Sequence, residues 1–256
     1  MLLQEVAVET ITASLIESPY VRAVFLKGSM GRNEHDEHSD IDLYCLVEKE
    51  QEDAFLAERL SHLQAYRPVL FQDDIFIIAP QLIAVFDNLL HIDLFTVTAE
   101  SFAAKDFFKV VYDPENLLEQ FAESQSLELS RVEYTDHVID VAWFLFQYRK
   151  AAARGNDVWA VKMLSHVVEH LARVLLYRYA PARAQLGLKT VSRSLPEAVF
   201  SEIEGISSLM TPADHAQAAS RIKELLNRES SWIDEHVSEG DKMMPLMEQM
   251  IEIQGN

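Results

Sequence analysis

The sequence predicts an α+β protein with two domains: a mixed β-sheet flanked by helices over residues 1–127, and a helical bundle over residues 128–256. Short apolar runs with strand-like spacing occur only in the first half of the chain, and long segments with helical spacing fill the second half. With 256 residues, 49% of them hydrophobic, the chain is large enough to build a core in each domain.

The N-terminal half predicts alternating helices and strands. Apolar residues recur near helical spacing over residues 3–17, and Ser18-Pro19 ends that helix. Asp73-Asp74 separates two apolar runs and predicts a turn. The other predicted strands end at Gly28 or run over 41–47, 91–97 and 110–112, and residues 69–79 and 82–86 are strands or strand-like connections. The other predicted helices run over 51–63, over 98–107 and from Asp113-Pro114 onward.

The C-terminal half predicts helices almost throughout. A helix over 132–153 ends at Arg154-Gly155, and Asp157 is the predicted N-cap of a second helix that reaches Tyr179. A short break between two long helices predicts an antiparallel hairpin. Further helices are predicted over 195–204, 213–236 and 241–253.

The strongest chemical signal lies in residues 24–47. An apolar strand ends in Gly28-Ser29, and ten residues later Asp40 and Asp42 open a second apolar strand. Side chains at i and i+2 share one face of a strand, so the two carboxylates repel each other unless a cation lies between them. Carboxylates together with phosphates are the usual ligands of Mg²⁺. Because Gly28 has no Cβ and Ser29 adds a hydroxyl, the pattern indicates a cradle for a metal-bound triphosphate.

Two further residues extend this site. Asp93 is a single acid in an apolar strand, where a charge is costly to bury without a partner. Taken alone, Asp93 either ends its strand or pairs with an arginine; with Asp40 and Asp42 upstream, a three-carboxylate metal site is the better interpretation. Arg32 follows Gly28 closely and either binds phosphate or is an ordinary surface residue.

These motifs resemble the polymerase-β-like nucleotidyltransferase superfamily, and within it the lincosamide and aminoglycoside nucleotidyltransferases. The segments 28–32 (Gly-Ser-Met-Gly-Arg) and 39–43 (Ser-Asp-Ile-Asp-Leu) match the pattern of those enzymes. A weaker likeness extends to residues 85–89 and to the helical half that begins near Trp143.

The resemblance implies an enzyme that moves a nucleoside monophosphate, AMP from ATP or its equivalent from another nucleoside triphosphate, to a hydroxyl of a small molecule such as a lincosamide or aminoglycoside antibiotic. One or two Mg²⁺ ions would be the cofactor, and a homodimer stays open as the assembly. Asp93 could be a metal ligand, the catalytic base or both. The implied nucleotide-binding residues are Gly28, Ser29, Arg32 and Ser39, and the metal-binding and catalytic residues are Asp40, Asp42 and Asp93.

The same resemblance assigns residues 1–127 to catalysis and residues 128–256 to acceptor binding or interaction. Asp136, Asp140 and Trp143 fall on one stripe of the first long helix, where Trp143 could stack on an acceptor and the acids could meet its amines or hydroxyls. The alternative is a solvated helix start with a core tryptophan. By the same resemblance, Glu169, Asp136 or Asp140 could serve either as a base or as an acceptor contact.

Two other function classes stay open. One is a regulatory, antitoxin-like nucleotide-binding relative, which retention of all three acids disfavours. The other is a zinc peptidase, because His166-Val167-Val168-Glu169-His170 matches an inverted zinc-peptidase motif. Structural polar residues on a bundle helix are the preferred explanation of that five-residue pattern, because such a short pattern occurs often by chance and no third ligand is evident.

The amino-acid composition limits which partners the protein can bind and which cellular compartment suits it. The formal net charge of −19 opposes binding to nucleic acid and favours small substrates, cationic ones included, although acidity also serves solubility alone. The single cysteine, Cys45, excludes an internal disulfide and fits a reducing compartment. The first residues do not resemble a signal peptide and no long apolar stretch occurs, so we expect a cytoplasmic protein without a membrane span.

Overall fold

A mixed β-sheet with helices forms the first of two structural units, and helices form the second. The computed structural model describes residues 1–102, 105–238 and 244–252. The units are Met1–Ser126 and Leu127–Asn256. The predicted α+β class is therefore confirmed.

Six strands form the sheet of the first unit in the order β3-β4-β5-β2-β1-β6. Their bounds are β1 Val21–Leu26, β2 Ile41–Val47, β3 Val69–Phe76, β4 Pro80–Phe86, β5 His91–Val97 and β6 Lys109–Tyr112. β2 and β5 pair in parallel, whereas the other neighbours are antiparallel. The chain between β2 and β5 holds a helix and the β3–β4 hairpin, which supplies the crossover that a parallel pair requires.

The two faces of the sheet carry different side chains. Helices α1 (Leu3–Leu15) and α3 (Glu52–Gln64) cover one face and pack on aliphatic residues such as Leu43. The other face is aromatic: the Tyr44 ring stacks on Phe95 at 4.3 Å and on Phe25 at 5.0 Å between ring centroids. Because side chains alternate along a strand, Asp42 shares the aromatic face with Tyr44.

The predicted turn at Asp73-Asp74 is wrong. β3 runs through both residues and pairs with β4 on either side of them. β3 is an edge strand, so its acids can stay solvated within a strand. Asp74 also accepts a hydrogen bond of 2.7 Å from the buried guanidinium of Arg59 on α3.

Two predicted helices of the first unit are also wrong. Thr98 opens a turn, in which the Thr98 amide donates to Ser101 Oγ at 2.9 Å, and residues 103 and 104 of that prediction lie outside the described part of the chain. The Asp113 carboxylate accepts hydrogen bonds from the backbone amides of Leu117 and Leu118. Only a 3₁₀ turn, Glu119–Ser124, follows in place of the predicted helix. Side-chain bonds to nearby amides compete with a regular helix at both places.

The second unit is helical in its described residues. Its helices are α4 Arg131–Ala153, α5 Asp157–Tyr179, α6 Val191–Ser194, α7 Glu197–Ser208, α8 His215–His236 and α9 Met244–Glu252, with a 3₁₀ stretch at Pro181–Lys189. α4 and α5 form the predicted hairpin, but Asn156 rather than Asp157 caps α5, its side chain accepting the Trp159 amide. No described helix combines the length and apolar character of a membrane span.

We expect Leu43→Ala to destabilise the first unit by about 2–5 kcal/mol, because the Leu43 side chain on β2 is fully buried in the core under the covering helices. Leu70→Ala is the matched control, since Leu70 is 65% exposed and its loss should change stability by less than about 0.5 kcal/mol. Hydrogen exchange of the β2 amides measures both effects. Equal protection in the two variants would contradict the packing described here.

Candidate active site

The parallel pairing of β2 with β5 brings two carboxylates together. Asp42 lies directly opposite Asp93 in the register, and the next pair on the same face is the stacked Tyr44 and Phe95. Both acids are only partly exposed and lie near the amino-terminal ends of their strands. Two of the three acids predicted from the sequence are therefore neighbours on one face of the sheet.

Asp40 and a histidine complete the group. His91 precedes Asp93 by two residues, so both side chains lie on the same face; His91 Nε2 is 3.1 Å from Asp93 Oδ1, and His91 Nδ1 is 4.0 Å from Asp40 Oδ2. One possible ligand atom from each of Asp40, His91 and Asp93 lies within 4.8 Å of the other two. The arrangement suits a divalent cation. The sequence analysis missed His91, although its two-residue spacing from Asp93 was a usable signal.

Gly28 lies against the carboxylate of Asp42. β1 runs antiparallel to β2, so its carboxyl end and the helical turn α2 (Gly28–Gly31) lie at the same edge as Asp42, and the Lys27 amide donates to Asp42 O at 3.0 Å. Gly28 has φ +60°, and a Cβ added there would lie 1.9 Å from Asp42 Oδ2. Only glycine therefore combines this backbone conformation with this close approach.

Ser29 has a buried hydroxyl that its surroundings do not satisfy. Its Oγ has no hydrogen-bond partner among the residues that the structure describes. An unsatisfied buried polar group is costly, and such groups concentrate where a ligand completes the bonding. The hydroxyl follows Gly28 directly, so a ligand seated beside Asp42 is the natural partner.

Arg32 and Ser39 already have protein partners. Arg32 Nη1 donates to Asp106 at 2.7 Å and Arg32 Nε donates to Glu34 at 3.0 Å. Burial alone would lower the pKa of Arg32, but these two carboxylates outweigh it and raise the pKa. Ser39 Oγ donates to Asp36 and accepts the Asp36 amide, closing the loop before Asp40. Phosphate binding by Arg32 or Ser39 stays a prediction. For Arg32 to bind phosphate, its guanidinium would have to release one of its two carboxylate partners.

Lys27 is a second residue that the sequence analysis missed. Its side chain is buried, its Nζ donates to Lys105 O at 3.0 Å, and it lies over the rings of Tyr44 and Phe102. Burial lowers the pKa of Lys27, against the opposing field of Asp106. A lysine directly before Gly-Ser was visible in the sequence, but its burial depends on the aromatic face.

Comparison with known families agrees with this geometry. Residues 9–86 match the family described as "Polymerase beta, Nucleotidyltransferase", a range that holds the Gly28-Ser29 turn, Asp40 and Asp42 and ends before Asp93. Residues 9–86 are similar to a polymerase-β-like nucleotidyltransferase domain. The predicted superfamily is therefore confirmed, and nucleotidyl transfer is the chemistry that this family performs.

Two solved structures align with this chain at low sequence identity. An aminoglycoside 6-adenyltransferase from Bacillus subtilis aligns at 13% identity and TM-score 0.40, over 97% of this chain and 98% of that one. A nucleotidyltransferase-like protein from Exiguobacterium sibiricum 255-15 aligns at 12% identity and TM-score 0.42, over 90% of this chain and 77% of that one. No curated protein matches the chain.

The predicted acceptor residues all lie in the helical unit. Asp136, Trp143 and Glu169 are exposed, and Glu169 Oε1 lies 3.6 Å from Arg173 Nη1. Asp140 differs from these three, because its Oδ2 is 3.4 Å from His170 Nδ1 on α5. Acceptor binding by these four residues stays a prediction.

The zinc-peptidase motif is not assembled as its sequence suggested. His170 Nδ1 lies 3.0 Å from His137 Nδ1, and the compact metal-compatible group in the described part of α4 and α5 is His137, Asp140 and His170. His166 instead stacks on Phe144 at 4.6 Å between ring centroids. Burial lowers the pKa of both histidines: it is the main cause of a pKa of about 4 for His137, and it also lowers the pKa of His170.

We expect Gly28→Ala to reduce the affinity of the protein for Mn²⁺, a spectroscopic substitute for Mg²⁺, by at least about tenfold, because the new methyl group displaces the Asp42 carboxylate. Electron paramagnetic resonance of Mn²⁺ measures this affinity.

Gly155→Ala is the matched control for this variant. Gly155 also has a positive φ, +65°, but a Cβ there meets no atom within 4 Å. It should cost only the backbone strain of about 1–2 kcal/mol and leave Mn²⁺ affinity unchanged. Equal Mn²⁺ affinities in the two variants would show that contact with Asp42 is not what requires glycine at position 28.

Proposed function

We propose that this protein transfers a nucleoside monophosphate, AMP from ATP in the first instance, to a hydroxyl of a small molecule. The observation that carries the proposal is the pairing of Asp42 with Asp93 beside a turn with two special residues: a required glycine, and a serine whose buried hydroxyl has no partner among the residues described. Two acids on one face are suited to a cation, and an unpaired hydroxyl at a tight turn is suited to a phosphate.

The donor set fits a magnesium site. Asp40, Asp42 and Asp93 would hold one or two Mg²⁺ ions through carboxylate oxygens, the ligands that this ion prefers. When bound, the metal would withdraw charge from the triphosphate and stabilise the charge that develops on the leaving pyrophosphate. His91, in contact with Asp93, would hold that carboxylate in a fixed orientation.

The residues of the chain would supply positioning and proton transfer. Amides at the start of the Gly28 turn, which have no intrahelical acceptor, and Ser29 Oγ would bind the β- and γ-phosphates. The acceptor oxygen would attack the α-phosphorus, the bond from that phosphorus to the bridging oxygen would break, and pyrophosphate would leave. Asp93 would take the hydroxyl proton, bind metal, or do both.

The acceptor is expected to be small, hydroxylated and cationic. The net charge of −19 favours amines and opposes polyanions such as nucleic acid. Asp136 and Glu169 offer two carboxylates, and Trp143 offers an aromatic surface, for such a molecule in the helical unit. Asp140 lies against His170 instead. Lincosamides and aminoglycosides fit this description and are the first acceptors to test.

The direct experiment is incubation with Mg²⁺, labelled nucleoside triphosphates and a panel of lincosamides, aminoglycosides and hydroxylated metabolites. Release of pyrophosphate together with a product that carries the nucleoside monophosphate supports the proposal. Tight nucleotide binding without turnover on any acceptor would favour the regulatory alternative.

Asp42→Asn should leave a folded protein whose turnover is lower by about a thousandfold, because loss of a metal carboxylate costs about 4 kcal/mol of transition-state stabilisation. Asp73→Asn is the matched control: Asp73 is also a strand-borne acid, but it is exposed on β3 and should leave turnover unchanged. Full activity in the Asp42 variant would falsify the assignment of this residue.

Ser29→Ala should leave the free protein as stable or slightly more stable, because the variant removes an unsatisfied buried hydroxyl. It should raise the KM for the nucleotide by about ten- to a hundredfold, since a hydrogen bond to a charged group is lost. Thermal unfolding and steady-state kinetics measure the two effects.

The control for Ser29→Ala is Thr96→Val. Thr96 Oγ1 is also buried without a partner in the described residues, but Thr96 follows Phe95 in β5 and so faces the opposite side of the sheet from Asp93. This variant should change neither stability nor KM appreciably. An unchanged KM in the Ser29 variant would remove Ser29 from the proposed phosphate site.

A further inference from the structure

A second group of possible metal ligands lies in the helical unit. His137 and Asp140 are one turn apart on α4, so they share a face of that helix, and His170 faces them from α5. All three side chains are partly buried. We propose that they bind a divalent transition-metal ion, Zn²⁺ in the first instance, at a site of its own that does not depend on nucleotidyl transfer.

The distances already suit such an ion. A tetrahedral Zn²⁺ with bonds of about 2.0–2.1 Å holds its ligand atoms about 3.3 Å apart. His137 Nδ1 and His170 Nδ1 are 3.0 Å apart, and His170 Nδ1 and Asp140 Oδ2 are 3.4 Å apart. Small side-chain adjustments would therefore be enough. One imidazole must move its proton from Nδ1 to Nε2, because both Nδ1 atoms have to present lone pairs.

The packing of α4 against α5 keeps the three possible ligands in place. α4 and α5 are long, adjacent and antiparallel, and buried apolar residues of both helices share one core. The Phe144 ring packs nearly parallel to His170 at 5.7 Å between centroids. A ligand set built on two packed helices keeps its spacing better than one built on loops.

The surrounding charge favours a cation. The charged side chains that act on the two imidazoles are Asp140, Glu133, Glu169 and Arg173. The three carboxylates outnumber the single guanidinium, that of Arg173, which itself lies 3.6 Å from Glu169. The negative charges nearby therefore favour a bound cation.

The ligand types separate this site from the magnesium site. Imidazole nitrogens select Zn²⁺, Co²⁺ and similar ions, whereas Mg²⁺ prefers oxygen ligands and water. Two histidines and one carboxylate also leave a coordination position for water or another ligand. We therefore expect excess Mg²⁺ to leave the bound transition metal in place.

The test is a titration of the full chain, freed of metal with a chelator, with Co²⁺ in the presence of excess Mg²⁺. Co²⁺ in a site with nitrogen ligands gives visible absorption bands that report its geometry, and competition with a chromophoric chelator then gives the Zn²⁺ affinity. His137→Gln and His170→Ala should each weaken binding by at least about a hundredfold. Circular dichroism checks that both variants fold.

Two matched controls make the result specific. His166→Ala removes a histidine one turn away on α5, one that stacks on Phe144 and lies outside the ligand group. His91→Ala removes the histidine beside the magnesium site. Co²⁺ bands that survive both controls and disappear in the His137 and His170 variants support the proposal.

Three results would overturn it: no Co²⁺ binding by the intact protein, bands that persist without His137 or His170, or bands lost only in the His91 variant. None of them bears on nucleotidyl transfer, which the Asp42 variant tests separately.

Discussion

The parallel pairing of β2 with β5 is the constraint on which the candidate active site depends. It sets Asp42 opposite Asp93 and leaves both carboxylates on the aromatic face of the sheet. Like charges this close are unfavourable without a counter-ion, so the fold holds a geometry that a bound cation would stabilise. Shifting either strand by one residue would turn one acid towards the aliphatic core and destroy the site.

The turn after β1 depends on the same pairing. Antiparallel alignment of β1 with β2 brings Gly28 against Asp42, so the glycine is required by contact with the Asp42 carboxylate as well as by its positive φ. Ser29 directly follows this glycine, and its buried hydroxyl has no hydrogen-bond partner within the described part of the chain. The parts of the candidate site that are proposed to bind metal and phosphate are therefore two consequences of one strand arrangement.

The helical unit shows that a motif in sequence need not be a site in space. His166, Glu169 and His170 have metalloprotease spacing, but His170 faces His137 and Asp140 of the neighbouring helix. Packing of α4 against α5 decided which residues became its partners. In the first unit, Asp74 was misinterpreted for a similar reason, because an edge position and a pairing with Arg59 allowed acids inside a strand.

The sequence by itself determined the α+β class, the hairpin of long helices and the nucleotidyltransferase motif with its three acids, because strand alternation, helical spacing and the Gly-Ser and Asp-x-Asp patterns are local. Only the tertiary structure decided that His91 contacts Asp93 and that Lys27 is buried over the rings of Tyr44 and Phe102. It also decided that Arg32 is held by Asp106 and that His137 faces His170. These facts depend on which strands and helices become neighbours. That choice is made by packing between segments far apart in the chain, which no local pattern records.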